Sequence, residues 1–166
     1  ERIMKYDRAT KRDFLYRDGV VEQYGDIFSL DIIGKYSGKI KFICEQVRRA
    51  KGISLVYSQY IDGGCLPLAL ALERMGMQRY GDKNLFKPGT VPAEGRGRYI
   101  MITGDAMLSP DNTGEVKAAT ESETDIRVII ISEAGSEGLD FQNIREVHVL
   151  EPWYNLNRIE QVIGRA

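Results

Sequence analysis

The sequence predicts an α/β domain in which a parallel sheet carries helices on both faces. Short apolar runs recur at 53–57, 99–103 and 127–131, and a fourth strand pattern, with His148 alternating with apolar neighbours, lies at 146–150. Runs that are apolar throughout, rather than alternating, mark strands buried on both sides. Segments of helical periodicity lie between them, and strands that alternate with helices imply parallel pairing through crossovers. With 166 residues, 43% hydrophobic and 28% charged, the chain has the size and composition of one globular domain with its own core.

Taken in order, residues 1–36 are mixed. Glu1 to Arg17 carries charges of both signs, and Leu15-Tyr16-Arg17-Asp18-Gly19-Val20-Val21 predicts a small hairpin with Asp-Gly as its turn. From Ser37 the pattern becomes regular. Ser37 is placed to cap a helix whose apolar stripe is Ile40, Ile43, Cys44 and Val47 and which stops at Gly52. Ile53 to Tyr57 reads as the first buried strand. Leu66 to Met75 predicts a second helix, with Pro67 in its first turn and Gly76 just past its end. Met77 to Arg98 holds four glycines and two prolines without sustained periodicity. A loop of that length is uncommon inside a compact domain and reads as an insertion, with mobility expected. Tyr99 to Thr103 is the next strand, Asn112 to Ser122 a helix capped by Asp111 or Asn112, Arg127 to Ile131 a strand, Glu146 to Leu150 another, and Leu156 to Ala166 the opening of a final helix. The expected organisation is therefore an extension over 1–36 and a domain over 37–166 with an insertion at about 77–98.

A net charge of −1 excludes a globally basic nucleic-acid binder, so any phosphate contact must come from locally placed groups. Cys44 and Cys65 form no C-x-x-C pair, which points to reduced, partly buried thiols and an intracellular protein. No apolar run reaches the ~18–20 residues of a membrane span, so no membrane partner is expected, and no resident metal site is expected either.

Ser132-Glu133-Ala134-Gly135-Ser136-Glu137-Gly138-Leu139-Asp140-Phe141 follows a strand directly. In open α/β sheets, ligands bind beyond the carboxyl ends of strands. The small residues let backbone approach a phosphate or ribose, and Asp140 is suited to accept from ribose hydroxyls or to orient an arginine. An ordinary strand-to-helix turn uses glycine in the same way. Twenty residues later comes Gln161-Val162-Ile163-Gly164-Arg165-Ala166. Arg165 has the chemistry of an arginine finger, which places positive charge on γ-phosphate oxygens as the transition state forms. The parts that cradle ATP are missing from the sequence. Gly34 to Ile40 has the wrong spacing for a G-x-x-x-x-G-K-[ST] loop and puts Ile40 where Mg²⁺ needs a hydroxyl, and there is no D-E-x-[DH] segment. Ser58 and Gln59 end one strand and Thr103-Gly104-Asp105 the next; both places suit contacts to nucleic-acid phosphates, and both read equally as solvated loops. Trp153-Tyr154 reads either as a stacking platform for a base or, more simply, as aromatics that pack the final helix. His148, among apolar neighbours in a strand, reads as a core or edge histidine.

The S-E-A-G-S-E-G-L-D-F stretch followed by Q-x-x-G-R resembles motifs V and VI of superfamily 2 helicases and translocases. Leu55-Val56-Tyr57-Ser58-Gln59-Tyr60, Met101-Ile102-Thr103-Gly104-Asp105 and Glu151-Pro152-Trp153-Tyr154-Asn155 support the likeness. From Ser37 onward the chain is similar to the second RecA-like lobe of such motors, closest to SNF2-like and early-transcription-type helicases of large nucleocytoplasmic DNA viruses. The resemblance implies a single RecA-like domain and an ATP site shared with a first lobe, which would also supply Mg²⁺. Catalytic roles fall on Arg165 and Gln161, and nucleotide contacts on Gly138, Asp140, Gln161 and Arg165. Contacts to the nucleic-acid backbone fall on Ser58, Gln59, Thr103, Gly104 and Ser132. Its partners would be the first lobe of the same protein and nucleic acid, DNA ahead of RNA, in the host cytoplasm or the virion. Glu137 stands where related RNA helicases carry arginine. The family's motif VI continues to a second arginine three residues on, so the chain is expected to be a piece of a motor cut within that motif, inactive alone. A binding module derived from a helicase lobe, without turnover, is the competing reading. An unrelated nucleotide-dependent enzyme is disfavoured, because Gly95-Arg96-Gly97 lies in the long loop with no helix to serve.

Overall fold

The computed structural model describes residues 2–164 apart from 93, 122–124, 136–137, 152–159 and 162–163. Its centre is a five-stranded, all-parallel sheet. The strands are β3 (Ile53–Ser58), β4 (Gln78–Arg79), β5 (Arg98–Ile102), β6 (Ile126–Ser132) and β7 (Ile144–Val149), in the spatial order β4-β5-β6-β3-β7. Before it in sequence come an antiparallel hairpin, β1 (Met4–Asp7) with β2 (Arg12–Tyr16), and two short helices, α1 (Val20–Tyr24) and α2 (Leu30–Ile33).

The strands lie where the continuous apolar runs predict them. Leu55, Val56, Ile100, Met101, Val128, Ile129 and Ile130 are all within 1% of complete burial. Alternate residues serve two cores. Val56, Tyr99, Met101, Val128 and Ile130 pack with α3 (Gly38–Arg49) and α4 (Leu66–Arg74) on one face. Leu55, Ile100, Ile129 and Ile131 pack with Val116 and Ala119 of α5 (Asn112–Thr120) on the other. This is the RecA-like α/β arrangement. The α3 stripe is the predicted one: Ile40, Ile43, Cys44 and Val47 are buried, and Ser37 Oγ accepts from Ile40 N at 3.2 Å. Each such apolar side chain contributes about 1.5–3 kcal/mol on burial. Pro67 sits in the first turn of α4, and the Asp111 side chain accepts from Gly114 N at 2.9 Å to cap α5.

Two elements differ from the sequence reading. The hairpin is not at Leu15–Val21. Asp18-Gly19 instead leads into α1, with Gly19 at φ 78° before the first helical residue. The true turn joins β1 to β2, where Asp7 Oδ1 accepts from Ala9 N at 2.9 Å and Asp7 Oδ2 from Thr10 Oγ1 at 3.1 Å. That side chain closes the turn in place of the glycine signal. The described residues of the 77–98 segment, read from sequence as an insertion without regular structure, pack against the lobe. Met77 and Leu85 are buried, Gln78–Arg79 forms the edge strand β4, and buried Arg79 pairs with buried Glu115 of α5 at 3.0 Å. Glu73 of α4 accepts from Leu85 N at 2.6 Å, Phe86 N at 2.9 Å and Tyr99 OH at 2.6 Å. Phe14 of β2 exchanges backbone hydrogen bonds with Leu85 and Lys87, so the same segment fastens the hairpin to the domain. Of the expected final helix, Glu160, Gln161 and Gly164 are described; the first two are helical and Gly164 is in a turn.

Candidate functional site

The parallel register brings the carboxyl ends of four strands into one row. Ser58 of β3 stands beside Ser132 of β6, Ile102 of β5 beside Ile131, and Tyr57 beside Val149 of β7. Adjacent strands are about 4.8 Å apart, so Thr103, Ser132, Ser58 and Glu151 line one edge of the sheet.

The loops at this edge close tightly because particular positions lack a side chain. A Cβ on Gly135 would overlap the carbonyl oxygen of Ile102, and one on Gly104 would lie 2.5 Å from Ala134 Cβ. The loops after β5 and β6 therefore lie against each other. Ser132 is buried, and its Oγ accepts from Gly135 N at 3.3 Å, holding the start of the motif V turn. Gly138 adopts φ 72°, in the left-handed region that favours glycine. Gly138 and Asp140 are both exposed beyond β6.

Ser58 is fully buried. Its hydroxyl lies 2.8 Å from Glu151 Oε1 and 3.0 Å from Oε2, and Gln59 N donates to Glu151 Oε2 at 3.1 Å. The chain then enters a π-helical turn, Ile61–Cys65, whose Gly64 could not carry a Cβ without striking Ser58 Oγ. The Ser58 hydroxyl is thus engaged inside the protein, while Gln59 is half-buried beside it and Tyr60 is exposed. Thr103 is buried as well. Its N donates to Ser109 Oγ at 3.0 Å, and its Oγ1 accepts from Asp105 N at 3.2 Å. Gly104 is exposed between them. Asp105 accepts from Met107 N at 2.9 Å and pairs with Lys11 at the tip of the hairpin. The hydrogen bond from Lys11 holds the Asp105 carboxyl below its usual range, and the same bond raises the Lys11 ammonium above its own.

Glu151 and Lys11 are residues at this edge that the sequence reading did not single out. The available signal for Glu151 was an acidic residue just past the end of the last strand; nothing local marked Lys11, which reaches Asp105 across 94 residues. Gln161 is exposed on its helical turn. Arg165, Glu137 and Trp153-Tyr154 lie outside the described residues. Among the described residues, no three His, Cys, Asp or Glu side chains converge as a metal-binding group. No described helix is long and apolar enough to cross a membrane.

Residues 38–166 match the family model for the helicase conserved C-terminal domain. The chain belongs to that family. Among its relatives, a predicted ATP-dependent RNA helicase of Acanthamoeba polyphaga mimivirus is 34% identical over 140 residues, covering 81% of this chain and 22% of that protein. A termination factor NPH-I homolog of African swine fever virus is 25% identical over 158 residues, covering 78% and 22%. Nucleoside triphosphatase I of Heliothis armigera entomopoxvirus is 24% identical over 156 residues, covering 94% and 21%. The helicase lobe described here thus spans about a fifth of the length of these relatives.

Proposed function

We propose that this lobe is the second half of an ATP-dependent nucleic-acid helicase or translocase. It would complete an ATP site and hold nucleic acid through the backbone. The observation that carries this reading is the row of strand ends at one edge, closed by Gly104 and Gly135, in a chain of the helicase C-terminal family. Gly138 and Asp140 would face the nucleotide. Gln161 would hydrogen-bond the γ-phosphate, and Arg165 would place its guanidinium on the charge that develops during transfer. Nucleic acid would lie over Gly104 and Gln59, where exposed backbone and a side-chain amide can meet phosphates without reading sequence. Ser58, Thr103 and Ser132, all buried, would act mainly by fixing those loops. The phosphate-cradling loop and Mg²⁺ are assigned to a first lobe. DNA is favoured over RNA as the track, on the likeness to early-transcription-type helicases.

The test is ATP hydrolysis by the full-length protein, with and without DNA or RNA, beside Arg165→Ala. Stimulation by nucleic acid, lost in the variant while ATP still binds, is the expected result. No hydrolysis under any condition would overturn the motor reading and leave a binding module in its place. The 166-residue piece alone is expected to show no turnover.

A further inference from the structure

The amino ends of the strands, at the far side of the sheet, carry a second built surface. A cavity of about 250 Å³ opens between the last turn of α3, the turn after α4, the Gly95–Gly97 loop and the start of β6. At about 3.3 Å per residue along β6, Arg127 lies on the order of 15–20 Å from Ser132. The cavity is therefore separate from the edge discussed above and does not depend on the reading given to that edge.

The apolar part of its lining is Val47, Met75 and Met77, and its cations are Arg48, Arg96 and Arg127. Arg127 donates through Nη2 to the Ala50 carbonyl, while its Nε–H, shut off from solvent, has no partner. Gly97, at φ 93°, lies against the Arg127 stem so closely that a Cβ there would overlap Arg127 Cγ. Arg48 is exposed and pairs with no carboxylate among the described residues. The opposing charges are Asp125, which also lines the cavity, and Glu94, which pairs with Arg96 at 2.9 Å on the surface. Among the described residues, cations outnumber anions in the lining by three to one.

We propose that this pocket docks an acidic segment of a partner protein. One apolar side chain would enter against Val47, Met75 and Met77, and flanking carboxylates would meet the arginines. Three arguments favour a peptide. Guanidinium groups match carboxylates through paired hydrogen bonds. The cavity falls below the roughly 300–1,000 Å³ of small-molecule sites and suits a single side chain with methionine as an adaptable wall. It holds no aromatic ring, whereas a nucleic-acid track combines a continuous cationic groove with stacking platforms.

The experiment is fluorescence anisotropy of the 166-residue chain with a set of labelled ten-residue peptides. Each has one Leu, Met, Phe or Val between two pairs of acidic residues. Saturable binding is expected for at least one peptide, weakened by about tenfold or more in the double variant Arg48→Glu, Arg96→Glu, and weakened likewise when the apolar anchor is replaced by Asn. Both arginines are exposed, so an unchanged thermal melt is expected to show that the variant folds. The proposal is overturned if no peptide saturates, if the double variant binds as tightly as wild type, or if the Asn peptides bind equally well. It is also overturned if labelled oligothymidylate binds at least as tightly as the best peptide and loses as much in the double variant, because the surface would then be a nucleic-acid contact.

Discussion

Replacing Glu73 by Ala should detach the segment 77–98 and, with it, the amino-terminal hairpin. The carboxylate accepts from Leu85 N, Phe86 N and Tyr99 OH, and none of these three residues is more than 3% exposed. Each buried donor left without a partner costs about 1–3 kcal/mol. Relief of the buried carboxyl's own desolvation offsets part of that loss, leaving roughly 3–5 kcal/mol, at the upper end for a single substitution. In a domain of this size 1 kcal/mol moves the midpoint by about 2–4 °C, so Tm should fall by roughly 6–20 °C. Glu73→Gln keeps one acceptor oxygen and should lose about 1–3 kcal/mol. Burial holds the Glu73 carboxyl above its ordinary range, with the Tyr99, Phe86 and Leu85 hydrogen bonds pulling the other way. A carboxyl raised on folding contributes stability that is complete below the unfolded value of about 4.3 and is lost as pH rises through the higher folded value. The Gln variant should lack that decline. Thermal melts between pH 4 and 8 read both effects, and amide exchange locates them: protection should drop at Leu85, Phe86 and Phe14 ahead of the central strands. A Tm within about 3 °C of wild type for the Ala variant, with those amides still protected, would refute the reasoning.

Three further outcomes are expected. Arg79→Met leaves Glu115 buried without its partner and should cost about 3–5 kcal/mol, whereas Arg79→Met with Glu115→Leu should recover much of the loss in urea unfolding; no recovery in the double variant would deny the pair its structural role. Gly135→Ala must push the motif V turn away from Ile102, so nucleic-acid-stimulated hydrolysis by the full-length protein should fall by about tenfold or more, in the range that small misplacements at a site produce; unchanged hydrolysis would show that the close approach is dispensable. Burial pushes the Cys44 and Cys65 thiols up to about 12, so neither should react with iodoacetamide at pH 8 until the chain is unfolded in urea, and native labelling followed by mass spectrometry checks this.

The sheet was legible because buried parallel strands need apolar runs, and β3, β5 and β6 had them, while β7 showed only alternating Val147 and Val149. The fifth, Gln78–Arg79, is two residues long and polar; it pairs with β5 through its backbone and is anchored by Arg79 to Glu115 of another element, neither of which leaves a local pattern. The hairpin misled because Asp-Gly is the stronger local signal, while the true turn relies on the side chain of Asp7. At the site, sequence placed Ser58, Thr103 and Ser132 at strand ends because a strand followed by small polar residues is readable. It had no way to show that the Ser58 hydroxyl turns inward, since Glu151 approaches from 93 residues away, and the partners of Thr103 and Ser132, though only six and three residues on, depend on how their loops fold back.

The strand order also has a consequence for how the chain is made. β3 is the first strand of the large sheet to be synthesised, yet both its neighbours, β6 and β7, come about 70–90 residues later. Until they emerge, the apolar Leu55-Val56-Tyr57 run has no ladder to join, and its two open edges are available to other chains. At about 5–20 residues per second that interval lasts on the order of several seconds. Chaperone dependence during translation should therefore be set by the distance from β3 to β6, and inserting residues between them should lower soluble yield before it lowers the stability of the finished domain.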